Sequence, residues 1–153
     1  MNPLNPNFST EIDFTDITDQ LQKVRAQGRY TLFEHEVYDL LEYTGSVLSP
    51  IKQFISKSSE VTDVQLSHFK GDKVVLKIVS PTITHKTEAS GVRIVANNAE
   101  DIRAEIAAML AEVPVRCQHD KPLAYQDLSA DQLLAAITDD IQGVLIVDYI
   151  AND

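Results

Sequence analysis

From Val74 to Val79 the chain reads Val-Val-Leu-Lys-Ile-Val, apolar except at Lys77 and rich in β-branched residues, and Ser80-Pro81 ends the run. This pattern predicts a buried strand that opens into a loop. Alternation along a strand puts Val74, Leu76 and Ile78 on one face and Val75, Lys77 and Val79 on the other. Gly91 to Ala96 predicts a second strand, with Val92 and Ile94 on one face and Arg93 and Val95 on the other, so the two enclose a β-loop-β unit around His85. Ile51 to Ile55 after Pro50 predicts another strand, and Gly143 releases a last β-branched strand, Val144 to Ile150.

Between these runs the apolar spacing turns helical. Ile17, Leu21 and Val24 share a helical face that Gly28 stops. Thr31 and Glu34 form a capping box for a helix that buries Phe33, Val37, Leu40 and Leu41 and ends at Gly45; Glu36 is then a solvated residue. Ser59 is expected to cap a short helix to Phe69, with Gly71 as its stop and His68 complementing the dipole of its last turn. Asn98 caps a helix from Ala99 to Glu112 striped with Ile102, Ile106, Met109 and Leu110, a core face. Pro114 to Tyr125 reads as irregular. Ser129 with Gln132 makes a second capping box, Leu128 with Leu133 a hydrophobic staple, and a helix runs through Ile137. Met1 to Ser9, with two Pro and three Asn, predicts a flexible lead. The alternation of roughly four or five helices with as many strands predicts an α/β class fold, an α+β sandwich.

Composition narrows this picture. At 153 residues and 44% hydrophobic content the chain is one domain's worth of globular protein. A net charge of −10 argues against nucleic acid or an anionic membrane as partner, although a local phosphate pocket remains compatible with it. No apolar run is long enough to span a bilayer and no signal core precedes the first helix, which predicts a cytoplasmic protein. The single Cys117 excludes an internal disulfide, and Cys117, His119 and Asp120 lack the second Cys or His pair of a metal site, so no metal is predicted.

Lys77 is the residue whose chemistry stands out. An ammonium among apolar neighbours is costly unless water or an anion meets it. Lysines also blunt sheet edges, and a threonine-rich loop with one histidine is often a plain solvated turn. The loop from Ser80 to Ser90, however, brings His85, Lys86, Thr87 and Glu88 close behind Lys77 in sequence.

The stretch Val74–Lys77, Ser80-Pro81, His85-Lys86-Thr87-Glu88 and Ser90-Gly91-Val92 resembles the V-V-L-K, S-P, H-K-S-D and G-G-V signature of the ATP-grasp module in ADP-forming acyl-CoA synthetases of the acetate-CoA ligase type. Gly28-Arg29, Leu32, Glu34, Glu36, Leu40-Leu41 and Gly45 resemble a second block of that family. The resemblance implies the first lobe of an ATP-grasp fold over residues 17–150 after a lead at 1–16, a mixed sheet packed with helices, and a second lobe outside this chain. It implies ATP or ADP as ligand, with magnesium held by the second lobe. It also implies that Lys77 holds a phosphate and that His85 is a phosphoryl carrier steadied by Lys86 and Thr87. Gly91 lies in the loop, Asp148 and Tyr149 lie where adenine is contacted, and coenzyme A-binding and ligase domains or a subunit are the partners. Alone, such a lobe is expected to be inactive. A non-catalytic interaction or regulatory module on the same lobe is the other reading. This sequence departs from the pattern at Thr87-Glu88, at Ser90 where the family has glycine, and at Asp148-Tyr149. The acids at Glu34 and Glu36 are matched in the family, which hints at subunit or domain contacts.

Overall fold

The computed structural model describes residues 12–45, 50–83, 85–119, 121 and 123–149. The expected lead at Met1 to Ser9, Asp120 of the Cys117 trio, and Ile150 of the last strand lie outside them. Two compact units divide the chain, Met1–Pro50 and Ile51–Asp153.

The first unit is a pair of helices, α1 (Phe14–Ala26) and α2 (Glu34–Tyr43). α1 begins three residues before Ile17, because the Asp13 carboxylate accepts from the Asp16 backbone N–H at 3.0 Å and caps it there. Gly28 (φ 73°) and Gly45 (φ 81°) follow the two helices in left-handed geometry, as expected. The Thr31–Glu34 capping box does not form. α2 starts at Glu34, and the Glu36 carboxylate reaches back to the Phe33 N–H at 2.8 Å. Glu36 is therefore no solvated surface acid: Arg29 clamps it through two bonds, Nη1 to Oε1 at 2.7 Å and Nη2 to Oε2 at 2.8 Å. Arg29 also lies 4.1 Å over the Phe33 ring. Glu34, the expected cap, instead accepts from the Tyr38 hydroxyl at 2.8 Å. Burial, then that carboxylate, push Tyr38 up to about 12.

The second unit is a four-stranded sheet, β1 (Lys52–Ser56), β2 (Lys73–Val79), β3 (Val92–Ala96) and β4 (Gly143–Asp148), in the order β1-β4-β2-β3. Where a mixed sheet was expected, all three pairings are antiparallel. One face carries Val74, Leu76 and Ile78 beside Val144 and Ile146, all fully buried, together with Ile55. These pack with Ile102, Met109 and Val113 of α4 (Ala99–Cys117) and Ile137 of α5 (Ala130–Asp140) in a single core. Each such side chain stabilises the unit by roughly 1.5–3 kcal/mol relative to exposure.

Local signals held where they were satisfied locally. Asn98 caps α4 through the Asp101 N–H at 2.8 Å, and Ser129 with Gln132 closes the predicted box at the start of α5. Two readings are corrected. The short helix α3 (Asp63–Leu66) is capped by Thr62, whose box with Gln65 replaces Ser59. The irregular segment expected from Pro114 instead begins after Cys117, because α4 runs straight through Pro114. Proline there leaves the Leu110 carbonyl without its helical donor, but Val113, Pro114 and Cys117 are buried, and that packing outweighs the lost bond. Gly143 opens β4 where a Cβ would stand 2.0 Å from the Ile55 carbonyl oxygen, so only glycine lets β1 and β4 approach.

Candidate active site

Register decides which side chains share a surface. Lys77 faces Leu145 of β4 and Val92 of β3, on the sheet face opposite α4 and α5. It is partly buried, as the sequence predicts. β2 lies inside the sheet, between β4 and β3, so Lys77 is not a guard on an exposed edge. That removes the edge-guard explanation and leaves a lysine placed in the middle of a sheet.

The loop that follows is tied back onto the strand. The Ile78 N–H donates to the Gly91 carbonyl at 2.7 Å, and the Gly91 N–H donates to the Lys86 carbonyl at 2.6 Å. A Cβ on Gly91 would sit 2.6 Å from Ile78 Cγ2 and 3.1 Å from the Lys86 oxygen, so glycine permits the approach. Within the loop, Ala89 N–H donates to the His85 carbonyl at 3.2 Å and Ser90 N–H to the Thr87 carbonyl at 3.1 Å. Ser90 takes φ 56°, left-handed geometry at the position where the family signature has glycine. Its carbonyl accepts from Arg93 Nε at 3.0 Å, while Arg93 Nη1 and Nη2 each reach a carboxylate of α4, Glu105 and Glu112, at 2.7 Å. The loop end is thus anchored to the sheet by main-chain bonds and to α4 by one guanidinium. His85, Thr87 and Glu88 are exposed, while Lys86 is partly buried.

The two residues at the end of β4 part company. Asp148 pairs with Val74, so its side chain lies on the helix-covered face, away from Lys77. Its Oδ1 is buried without a hydrogen-bond partner, 3.3 Å from where a Gly71 Cβ would stand. Tyr149 turns the other way and its ring lies 6.0 Å from Lys73 Nζ. Sequence reasoning missed Lys73 and Lys52, both on the Lys77 face. The same alternation that placed Lys77 marks Lys73 four residues earlier, whereas Lys52 is found only through its register with Val147. Among the described residues no group of three or more His, Cys, Asp or Glu could hold a metal. No described helix is long and apolar enough to cross a membrane.

Over 83 residues the chain is 37% identical to the beta subunit of an ADP-forming acetate-CoA ligase I from Pyrococcus furiosus, a match over 54% of this chain and 34% of that protein. ACD1 of Ca. Korarchaeum cryptofilum, solved in complex with coenzyme A, superposes with a TM-score of 0.57 at 23% identity, covering 88% of this chain and 48% of that one. A dinucleotide forming acetyl-coenzyme A synthetase 1 from the same organism, in complex with coenzyme A, Ca-AMPCP and HgCl+, superposes at 0.54 with 25% identity over 88% and 49%. The chain therefore spans about a third of the curated relative and about half of the solved ones. The family model of the ATP-grasp domain matches residues 23–126, and this chain belongs to that family.

Proposed function

We propose that this chain is the nucleotide-binding first lobe, residues 17–150, of an NDP-forming acyl-CoA synthetase, which interconverts acid, coenzyme A and ATP with acyl-CoA, ADP and phosphate. The observation that carries the reading is the loop of His85, pinned by the Ile78–Gly91 and Gly91–Lys86 main-chain bonds to the end of the strand that presents Lys77. The relatives' names supply the acyl-CoA chemistry and the ADP analogue.

In this reading Lys77 neutralises a phosphate of the nucleotide, the role that phosphoryl transfer chiefly asks of a protein. The His85 imidazole, exposed at the loop, takes the phosphoryl group on a ring nitrogen as the acyl phosphate releases its acid, and then passes it to ADP. Lys86 and Thr87 steady the group through ionic and hydroxyl bonds, and Gly91 lets the loop lie against the strand. Tyr149 lies against adenine, while Asp148 contributes through its main chain. Coenzyme A-binding and ligase domains or a partner subunit complete the enzyme, and the lobe alone is inactive.

Titrating an ATP analogue with magnesium into this chain and into one extended past Asp153, each with Lys77→Met and His85→Asn counterparts, tests the reading. Tight binding by the longer chain, lost in Lys77→Met, and phosphate labelling lost in His85→Asn support it. Binding by neither chain points instead to a non-catalytic module built on the same lobe.

A further inference from the structure

Among the described residues Ser90 alone, glycines aside, takes a positive φ, 56°. Such geometry persists where the surroundings over-determine it, and Arg93 is part of what holds Ser90. By register Arg93 pairs with Leu76, which puts it on the face of β3 that α4 covers, away from Lys77. From there its Nε donates to the Ser90 carbonyl at 3.0 Å, its Nη1 to Glu105 Oε1 at 2.7 Å and its Nη2 to Glu112 Oε2 at 2.7 Å.

Arginine alone among side chains carries donors on three nitrogens in one plane, whereas a lysine ammonium is a point charge on a flexible stem. Glu105 and Glu112 stand two turns apart on α4, about 10.5 Å along its axis, and the guanidinium spans them with its side chain 16% exposed. Glu112 is half in solvent, so as an ion pair it adds little to stability. What the cluster fixes is direction: two carboxylates of a long helix set the plane of the guanidinium, and the guanidinium sets the aim of the Ser90 carbonyl. The turn behind that carbonyl is closed on itself, since the Ala89, Ser90 and Gly91 N–H groups donate to the carbonyls of His85, Thr87 and Lys86. It therefore moves as one piece, and orienting its end at Ser90 orients its start at the exposed His85.

We propose that Arg93 is a positioning residue for phosphoryl transfer through His85: held by Glu105 and Glu112, it orients the turn that carries the imidazole. The inference rests on the phosphoryl-carrier reading above and adds to it three residues of β3 and α4 that lie outside the signature. In the direction from ATP, the lone pair of an unprotonated ring nitrogen attacks the γ-phosphorus. The bond to the bridging oxygen breaks, its electron pair leaves on ADP, and the other ring nitrogen keeps its proton. Arg93 touches none of these atoms and acts through the turn. Reacting atoms must come within about 3–3.5 Å, and a displacement of about 1 Å set from outside the chemistry can cost about a hundredfold in rate.

The test is made in the complete enzyme, this chain with the domains that complete it. It follows label from γ-labelled ATP with magnesium onto His85 and, in parallel, the calorimetric affinity for a non-hydrolysable ATP analogue. Arg93→Met keeps the apolar stem and removes the fork, and Arg93→Lys keeps the charge. Arg103→Met is the control, removing an α4 guanidinium that holds the Val61 carbonyl at 2.8 Å and Asp63 at 2.7 Å instead of the His85 loop. Arg93→Met is expected to slow labelling at saturating ATP about tenfold or more, with analogue affinity within about twofold of wild type. Arg93→Lys should recover little, added methylguanidinium should restore much of the rate to Arg93→Met, and Arg103→Met should label as wild type. Should Arg93→Met fail to fold by circular dichroism, Glu112→Gln carries the test, with labelling about threefold slower at unchanged affinity. Labelling at the wild-type rate in the variant used overturns the proposal and leaves the carrier reading standing. A parallel fall in labelling and affinity that methylguanidinium does not restore, or an equal loss in Arg103→Met, also overturns it, because Arg93 then only holds the fold together. Wild-type enzyme that binds the analogue yet carries no label on His85 overturns the carrier reading itself, and the positioning role falls with it.

Discussion

Ser90 sits in left-handed geometry, φ 56°, in the turn that ties the His85 loop to β2. For an L-residue that conformation costs about 1–2 kcal/mol, from the clash between Cβ and the following carbonyl. Glycine escapes the clash but gives up more chain entropy on folding, about 0.5–1 kcal/mol. The Ser90 hydroxyl makes no hydrogen bond to a described residue, whereas its N–H and carbonyl are used by Thr87 and Arg93, and both main-chain groups survive substitution. Ser90→Gly should therefore stabilise the Ile51–Asp153 unit by about 0.5–1 kcal/mol, which is roughly 2–6 °C in Tm for a unit of this size. Ser90→Ala keeps the Cβ and should melt within about 0.5 kcal/mol of wild type.

Far-UV circular dichroism gives the melts, and hydrogen exchange of the Ile78 and Gly91 amides localises the gain, since both donate into this turn. Slower exchange at those two amides in Ser90→Gly is the expected signature. If Ser90→Gly melts at or below wild type while Ser90→Ala is neutral, the turn is not strained and the account of Ser90 is wrong.

Gly143→Ala would drive a Cβ to 2.0 Å from the Ile55 carbonyl oxygen, a backbone atom that cannot swing away; a loss of about 3 kcal/mol or more is expected by urea melts, with β1 peeling from β4. At Glu36, burial raises the carboxyl but the Arg29 bonds and the Phe33 N–H outweigh it, leaving the group below its ordinary value of 4.5. A carboxylate depressed on folding stabilises fully above the unfolded value and loses that contribution as pH falls through the folded one. The Met1–Pro50 helix pair should accordingly weaken as pH drops below about 4.5, and Glu36→Gln should flatten that dependence and cost about 1–2 kcal/mol at pH 7, read from α2 amide exchange across pH.

What the sequence disclosed was whatever the chain settles within a few residues. The period of β2 placed Lys77 on the correct face without coordinates, and the Ser129 box closed as written, because both depend on neighbours in sequence. The failures at Glu36, Pro114 and Lys52 are non-local, whereas the Thr62–Gln65 box that displaced Ser59 was a local signal left unread. Arg29, seven residues from Glu36, takes the acid that propensity had left to solvent and leaves Thr31 without a box. Burial under the sheet carries α4 through Pro114 against its own backbone chemistry. Lys52 could not be read at all, because its place beside Lys77 exists only in the β1-β4-β2 register.

That register also divides the two residues at the end of β4, and the division is testable. Asp148 pairs with Val74 on the helix-covered face, while Tyr149 turns toward Lys73. If the nucleotide lies on the lysine face, the Asp148 carboxylate never meets it, and Asp148→Asn should leave affinity for an ATP analogue within about twofold of wild type. Tyr149→Ala should weaken the analogue about tenfold through lost ring stacking, yet leave tripolyphosphate unchanged because no base is present to stack. Calorimetry on the four combinations decides the matter. An Asp148→Asn loss as large as that of Tyr149→Ala would mean that the ligand reaches around the strand end to the helix side, and the parity of β4, not merely one residue's role, would have been misjudged.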